Sequence, residues 1–430
     1  MRQTGTARRR ALAAVLAACT ALLALSSAGS TALSGPGGDP GPGAGSTIGT
    51  RPVPAAGPGP GADQVVTWGA SPDVVPGTLD DRTVRNLVHT SIGGPDVRVE
   101  LSNVFGTAPV TFDAVHLGLH DAGAAVVPGT NRQVTFGGAA AVTVPPGAQV
   151  LSDPVGWAVP ADTTLAVSVH AVGEHAAPTG HQLAMQTSHV SAPGDHAAEE
   201  GAAAYPTPTR HWYWVTGLVV DAPERAGTVA LLGDSITDGY GSTVGADRRW
   251  PDRLADRLAA APGSPRFGVM NQGISGNRVL ADGFGPSARA RFDRDVLARP
   301  GVETVVLLEG INDIGNGDAR TADALVSAYR QLVARAHAAD VCVVGATLPP
   351  FEGARYHDEA GEEARAAVNR WIRTGGGFDA VLDVDAALRD PAAPRRLLPA
   401  YDSGDHLHPN DAGYAAIADA VDLRSLDCDR

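Results

Sequence analysis

Five residues in this chain are of types that could together carry out acyl transfer through a serine nucleophile. Ser235 stands in LLGDSITDG, Gly276 in NQGISGNR, Asn312 in LLEGINDIG, and Asp405 and His408 in SGDHLHPN. A serine hydroxyl is a poor nucleophile until a base takes its proton, and histidine is the natural base near neutral pH. Asp405, three residues before His408, can fix the imidazole tautomer and stabilise the imidazolium. The oxygen of a tetrahedral intermediate needs donors, which the Ser235 amide, the Gly276 amide and the Asn312 carboxamide can supply. Taken alone, Ser235 reads equally well as a helix N-cap, because Ser and Asp satisfy the orphan amides of a helix start.

The elements that must position these residues favour the chemical reading. From about residue 226 the sequence alternates apolar runs with amphipathic segments. Strands are expected over 227–232, 267–271, 303–308, 341–346 and 379–384, and helices over 250–260, 322–338, 358–374 and 411–422. Such alternation predicts a parallel sheet with helices on both faces. Function in an open parallel sheet collects outside the carboxyl ends of its strands. Ser235, Gly276 and Asn312 follow the first three strands, and Asp405 and His408 follow the fifth, so all five fall on one rim. An N-cap serine needs no partners from three other loops.

At this point the sequence resembles a known family. GDSITDG, NQGISGN, GIND and DHLHP match, in order, the signature blocks of the GDSL/SGNH hydrolases. The resemblance covers about 226 to 425, and four blocks in register make it specific. It implies a flavodoxin-like three-layer α/β/α domain, serine esterase or acylhydrolase activity and no cofactor. By the same match Ser235 is the nucleophile, His408 the base, Asp405 its orienting acid, and Ser235, Gly276 and Asn312 the oxyanion donors. Ile236 replaces the leucine of the family name, a conservative change. No G-x-S-x-G elbow surrounds Ser235, which argues against the α/β-hydrolase fold.

The first half of the chain has another texture. Residues 1–28 join a basic start to an apolar run and small residues near Ala28 and Ala32, an expected export signal. A second reading is lipid anchoring through Cys19, in LAAC. Residues 29–62 are a Gly/Pro/Ser tract expected to be a disordered linker. Over 63–222, short stretches alternate with period two, as in Val97, Val99 and Leu101 or Leu165, Val167 and Val169. Turn signals such as Gly93-Gly94-Pro95 separate them. This spacing predicts a jelly-roll-like β-sandwich ahead of the catalytic domain at 226–430. The stretches VRVELSNVFG, PGTNRQVTFGG and LSDPV resemble the β-rich module that precedes the hydrolase domain in exported bacterial esterases related to xylan degradation. Acetylated carbohydrate is the substrate class this resemblance implies.

Composition excludes other classes. The formal charge is −14, and losing Arg2, Arg8, Arg9 and Arg10 with the signal takes it to about −18. Such a surface repels phosphate backbones and anionic headgroups, so nucleic acid is not an expected partner. No lysine occurs, which removes Ser–Lys dyads and Schiff-base chemistry. The cysteines are Cys19, Cys342 and Cys428; a Cys342–Cys428 bridge is open but not implied by spacing.

The remaining polar residues have blander readings. Asp234 and Asp313 are expected to shape their loops, and Arg278 to form a surface ion pair. Asp402, Asp405, His406 and His408 could instead chelate a divalent ion, but that leaves Ser235, Gly276 and Asn312 unexplained, so no metal is expected. Residues 239–245, GYGSTVG, lack dinucleotide-binding spacing. His211-Trp212-Tyr213-Trp214 could stack on sugar rings, though packing at the junction of the two domains is the stronger reading. The expected protein is a secreted serine esterase acting on short acyl, above all O-acetyl, groups of carbohydrates, with small esters or acetylated polysaccharide as partners and no membrane span after signal removal. A lipase or arylesterase is the alternative within the class, and a carbohydrate-binding protein with an inactive hydrolase domain the alternative outside it.

Overall fold

The computed structural model describes residues 63–222, 226–261 and 266–427. The expected signal, linker and Cys19 lie outside these residues, as does Cys428. Gly59–Arg430 forms one compact unit, within which a β-sandwich and an α/β layer structure share an extended seam.

The α/β part is built on five parallel strands, ordered across the sheet as Arg266–Gly273, Ala226–Gly233, Val302–Leu308, Cys342–Ala346 and Ala380–Leu382. Ala226–Gly233 is buried at every position, as a strand covered on both faces must be. Its helices include Trp250–Ala260, which buries Trp250, Leu254 and Leu258, and Ala322–His337, which buries Leu325, Leu332 and Ala336. Glu359–Thr374 and Asp411–Asp419 complete the set. This is the flavodoxin-like strand order, in which the first strand lies between the second and third. Its carboxyl end is therefore the point where the connections turn in opposite directions, and a crevice opens there. Cys342 is disulfide-bonded.

The sandwich packs a four-stranded antiparallel sheet against a larger one. The first contains Asp63–Gly69, Val215–Ala222, Val97–Ser102 and Gln149–Leu151; the second is centred on Thr78–Thr90, Thr163–Ala176 and Val110–Leu119. Val97, Val99 and Leu101 point into the shared core, as their alternation predicts. Along Thr163–Ala176, however, Ala166 and Ser168 are buried as well as Leu165 and Val167. The outer face there is covered by a loop, and the fully buried Arg85 bridges to it from Ser168 Oγ (2.8 Å) to Tyr205 Oη (3.0 Å) and Ala124 O. Trp212 and Trp214 are buried, with Trp212 edge-on to Trp68 at 4.9 Å. The aromatic cluster thus packs the interior.

A third, small sheet of Asp73–Val74, Thr179–His181 and Trp212–Tyr213 brings the sandwich to the rim of the parallel sheet. The seam between the two parts is buried, with Val66 and Val219 of the sandwich packed into the core of the α/β part and polar groups beside them. Val66 N donates to Thr228 Oγ1 (2.9 Å), Ala70 bridges Asn271, and Ser71 Oγ lies 2.5 Å from Gln272 Oε1 and 2.9 Å from Asp295 Oδ2. Arg291, with no exposed side-chain surface, donates to Ser71 Oγ, Gln272 O and Gly233 O.

Candidate active site

Ser235 opens the four-residue helical turn Ser235–Asp238 immediately after the first parallel strand. The strand-to-helix turn is tight because Gly233 has no side chain: a Cβ there would lie 2.1 Å from Thr237 Oγ1 and 2.6 Å from Leu308 O. Asp234 caps the turn by accepting from Ile236 N at 2.9 Å. Burial pushes its carboxyl up to about 7. Its place is that of a cap, leaving the next residue's hydroxyl free to face outward.

Ser235 Oγ lies 2.7 Å from His408 Nε2, and His408 Nδ1 lies 2.6 Å from Asp405 Oδ2. A carboxylate only accepts, so Nδ1 carries the proton and the bare Nε2 accepts from the serine hydroxyl. Asp405 Oδ1 also accepts from Leu407 N (3.0 Å) and His408 N (2.9 Å). Burial pushes the Asp405 carboxyl up, but the His408 ring and backbone bonds outweigh it and hold the group well below the ordinary carboxylate range. The loop is fastened at its end by Asn410, which caps the helix Asp411–Asp419 through Ala412 N and Gly413 N and returns Nδ2 bonds to Ala400 O and Asp402 O. Tyr240 packs on the His408 ring at a centroid distance of 4.5 Å.

Gly276 and Asn312 line the same cavity, about 750 Å³ in volume. Gly276 has φ +79°, and a Cβ there would meet the Phe284 ring at 2.6 Å, so only glycine brings a backbone amide to this spot without strain. Asn312 sits in the first turn of Ile311–Gly315; one Nδ2 proton goes to Asn277 O at 3.0 Å, and Oδ1 accepts from Tyr356 Oη at 3.3 Å. Asp313 ties this turn to the preceding block by accepting from Val279 N (2.9 Å) and Leu280 N (2.8 Å), and burial pushes its carboxyl up to about 6. Arg278 pairs with Asp318 at 2.6 Å. The four residues considered for a chelate form two separate pairs, His406 with Asp402 and His408 with Asp405, each at 2.6 Å.

All five residues named from the sequence therefore meet in one pocket. What sequence reasoning missed is the sandwich's share of the lining. Asp73, His181, Gln182 and Leu183 come from the sandwich and line the cavity, with His181 against Asp238 at the end of Ser235's turn. No motif marks them, since they belong to strands two or three residues long and their loops. Phe284 and Tyr240, 66% and 47% exposed, stand at the rim.

Residues 231–416 match the family model described as GDSL-like Lipase/Acylhydrolase family. Among solved structures, an acetylxylan esterase from Geobacillus stearothermophilus is 23% identical, with 47% of this chain and 96% of that one covered and a TM-score of 0.35. A protein from Agrobacterium tumefaciens assigned as an arylesterase is also 23% identical, covering 47% and 99%, with a TM-score of 0.36. No curated protein sequence matches the chain.

Proposed function

We propose that this carboxylic ester hydrolase, whose residues 231–416 are a domain of the GDSL/SGNH type, works as an exported serine esterase on short acyl groups, foremost O-acetyl groups of carbohydrates. Ser235 Oγ attacks the ester carbonyl while His408 Nε2 takes its proton, and Asp405 steadies the imidazolium that forms. The oxyanion accepts hydrogen bonds from the Ser235 and Gly276 amides and from the Asn312 Nδ2 proton not given to Asn277. His408 then returns its proton to the leaving alkoxide, which leaves an acyl-enzyme. Water, deprotonated by the same nitrogen, attacks the acyl carbon, and as the bond to Ser235 Oγ breaks His408 returns that proton to the serine and the acid departs.

The observation that carries the serine mechanism is the unbroken chain from Ser235 through His408 to Asp405, at 2.7 and 2.6 Å, beside Gly276 and Asn312. The carbohydrate preference is supported by the rim. The exposed Phe284 and Tyr240 rings offer flat apolar faces, while the Asp73–Gln182 pair, joined at 2.8 Å, adds polar lining to the cavity. The test is a rate profile with p-nitrophenyl esters from C2 to C12 beside acetyl-xylan, run on chain recovered from the medium of expressing cells. Its N-terminus, expected near Ala28 or Ala32, checks export. The expected result is a maximum at C2, acetate release from acetyl-xylan and no turnover by Ser235→Ala. A maximum at long chains with acetyl-xylan inert would make the protein a lipase instead.

A further inference from the structure

A second histidine–aspartate pair ties the nucleophile turn to the sandwich. His181 is 4% exposed; its Nε2 lies 2.9 Å from Asp238 Oδ1 and its Nδ1 2.9 Å from Ser71 O. A carbonyl oxygen and a carboxylate only accept, whereas a neutral imidazole has one N–H and one bare lone pair. The neutral ring would aim that lone pair at an oxygen in a buried place, which is costly. The imidazolium, a donor at both nitrogens, satisfies both partners. Burial disfavours the added proton, but the charge and hydrogen bond of Asp238, the Ser71 carbonyl and Asp73 outweigh it and raise the pKa of His181. Other charged groups nearby are Arg291 and Asp295, which pair with each other and bond to Ser71 Oγ, and Arg249, over the Trp212 ring that lies beside His181 and itself paired with Asp252 at 2.8 Å, with Asp247 also near it.

Asp238 is the last residue of the turn that Ser235 begins. Its Oδ2 accepts from Ser275 N at 2.8 Å and from Ser275 Oγ at 2.7 Å, one residue before Gly276. One carboxylate thus grips the nucleophile turn and the loop of the Gly276 amide together. We propose that His181 is a positioning residue for ester hydrolysis: its imidazolium neutralises and fixes Asp238, which sets the spacing between Ser235 and the Gly276 oxyanion donor. The sandwich is then part of the catalytic apparatus. This rests on the serine mechanism above.

The two histidines act in opposite protonation states. His408 must be neutral at Nε2 to accept the serine proton. His181 must be charged. Its folded-state pKa is raised, so its contribution is present at low pH and lost as pH rises through the folded value. An alkaline limb follows.

The test measures kcat and KM of the full chain with p-nitrophenyl acetate from pH 5 to 10, for the unmodified protein, His181→Gln and Ser235→Ala, with far-ultraviolet circular dichroism to check folding. The Gln variant is expected to lose about 10–100-fold in kcat, with KM within about threefold, and its profile to lack the alkaline limb. A kcat within about twofold of the unmodified protein, or a lower kcat that keeps the alkaline limb, overturns the proposal. Should the variant not fold, ring ¹⁵N shifts of the histidine-labelled unmodified protein decide: two protonated nitrogens at His181 are expected at pH 7.5, and a neutral tautomer overturns it. Turnover by Ser235→Ala would sink the serine mechanism itself, a separate failure.

Discussion

Two regions of the molecule hold the same pair of groups for different ends. In the loop that leads into the helix Asp411–Asp419, His408 gives one ring nitrogen to Asp405 and turns the other to a hydroxyl. At the seam with the sandwich, His181 gives one to Asp238 and the other to a backbone carbonyl. A hydroxyl can surrender its proton; a carbonyl has none to give. The partner of the second nitrogen therefore decides whether the imidazole can move protons or can only hold a charge in place. The surroundings agree. Asp405 is partly open to solvent, with 43% of its side chain exposed, whereas Asp238 is sealed at 2%. A base must meet substrate and water; a clamp works best where water cannot compete.

The sharpest way to break this comparison is to reverse the polarity of the exposed pair. In Asp405→Asn the side-chain amide would donate to His408 Nδ1, which drives the ring proton to Nε2. That nitrogen would then face Ser235 as a donor and could not accept its proton. A fall in kcat of about 10⁴-fold is expected, with the fold intact by circular dichroism. Activity within about tenfold of the unmodified enzyme would show that Asp405 does not orient the base. Because the His408 ring and backbone bonds hold Asp405 below the ordinary carboxylate range, it stays ionised in weakly acid solution and keeps its hold on His408 Nδ1.

The two pairs also differ in how far they could be read in advance. His408 and Asp405 are three residues apart in one loop, although their loop does not directly follow the fifth strand as expected: the helix Val384–Leu388 and the hairpin of Arg389–Asp390 with Ala393–Leu397 stand between, and no apolar period announced them. The strand expected over 227–232 is Ala226–Gly233, and the helix expected over 322–338 is Ala322–His337. The helix announces itself because burial of one face demands a period, and the strand because burial of both faces demands a continuous apolar run. His181 had no such signal, since it ends a strand of three residues and meets Asp238 across 57 positions of chain. Arg291 and Arg85 were illegible for the same reason. Each is an arginine buried with acceptors mostly from distant parts of the chain: Arg291 with Gln272 O, Gly233 O and Asp295, and Arg85 with Ala124 O, Ser168 Oγ and Tyr205 Oη. Pairings between distant short segments are set by the assembled fold, and no local period reports them.

A smaller effect tests whether the rim on the strand side works as a donor set. Asn312→Ala removes the carboxamide proton that is free of Asn277, and takes the partner from Asn277 O and Tyr356 Oη as well. A drop in kcat of about 10²–10³-fold is expected with little change in KM, since the bond is made to the oxyanion and not to the ground-state carbonyl. An unchanged kcat would remove Asn312 from the oxyanion hole. The loss should be smaller than for Asp405→Asn, because two backbone donors remain.

The smallest effect comes from a third pair, which shares the geometry of the first and none of its consequences. His406 Nδ1 meets Asp402 at 2.6 Å, four residues away, as closely as His408 meets Asp405. Yet the His406 side chain is 54% exposed, and its pairing serves the loop. Asp402 Oδ1 accepts from Gly404 N (2.8 Å) and His406 N (3.0 Å), which closes the turn that delivers His408. His406 also has φ +63°, a conformation that Asn tolerates better than most residues. His406→Asn should therefore leave kcat within about threefold, measured with the same acetyl ester. An exposed ion pair of this kind contributes little, about 0–1 kcal/mol, and the backbone bonds to Asp402 survive the change. A tenfold or greater loss would mean that the loop's shape depends on the second imidazole, and that a histidine–aspartate pair here cannot be sorted by what its other nitrogen faces.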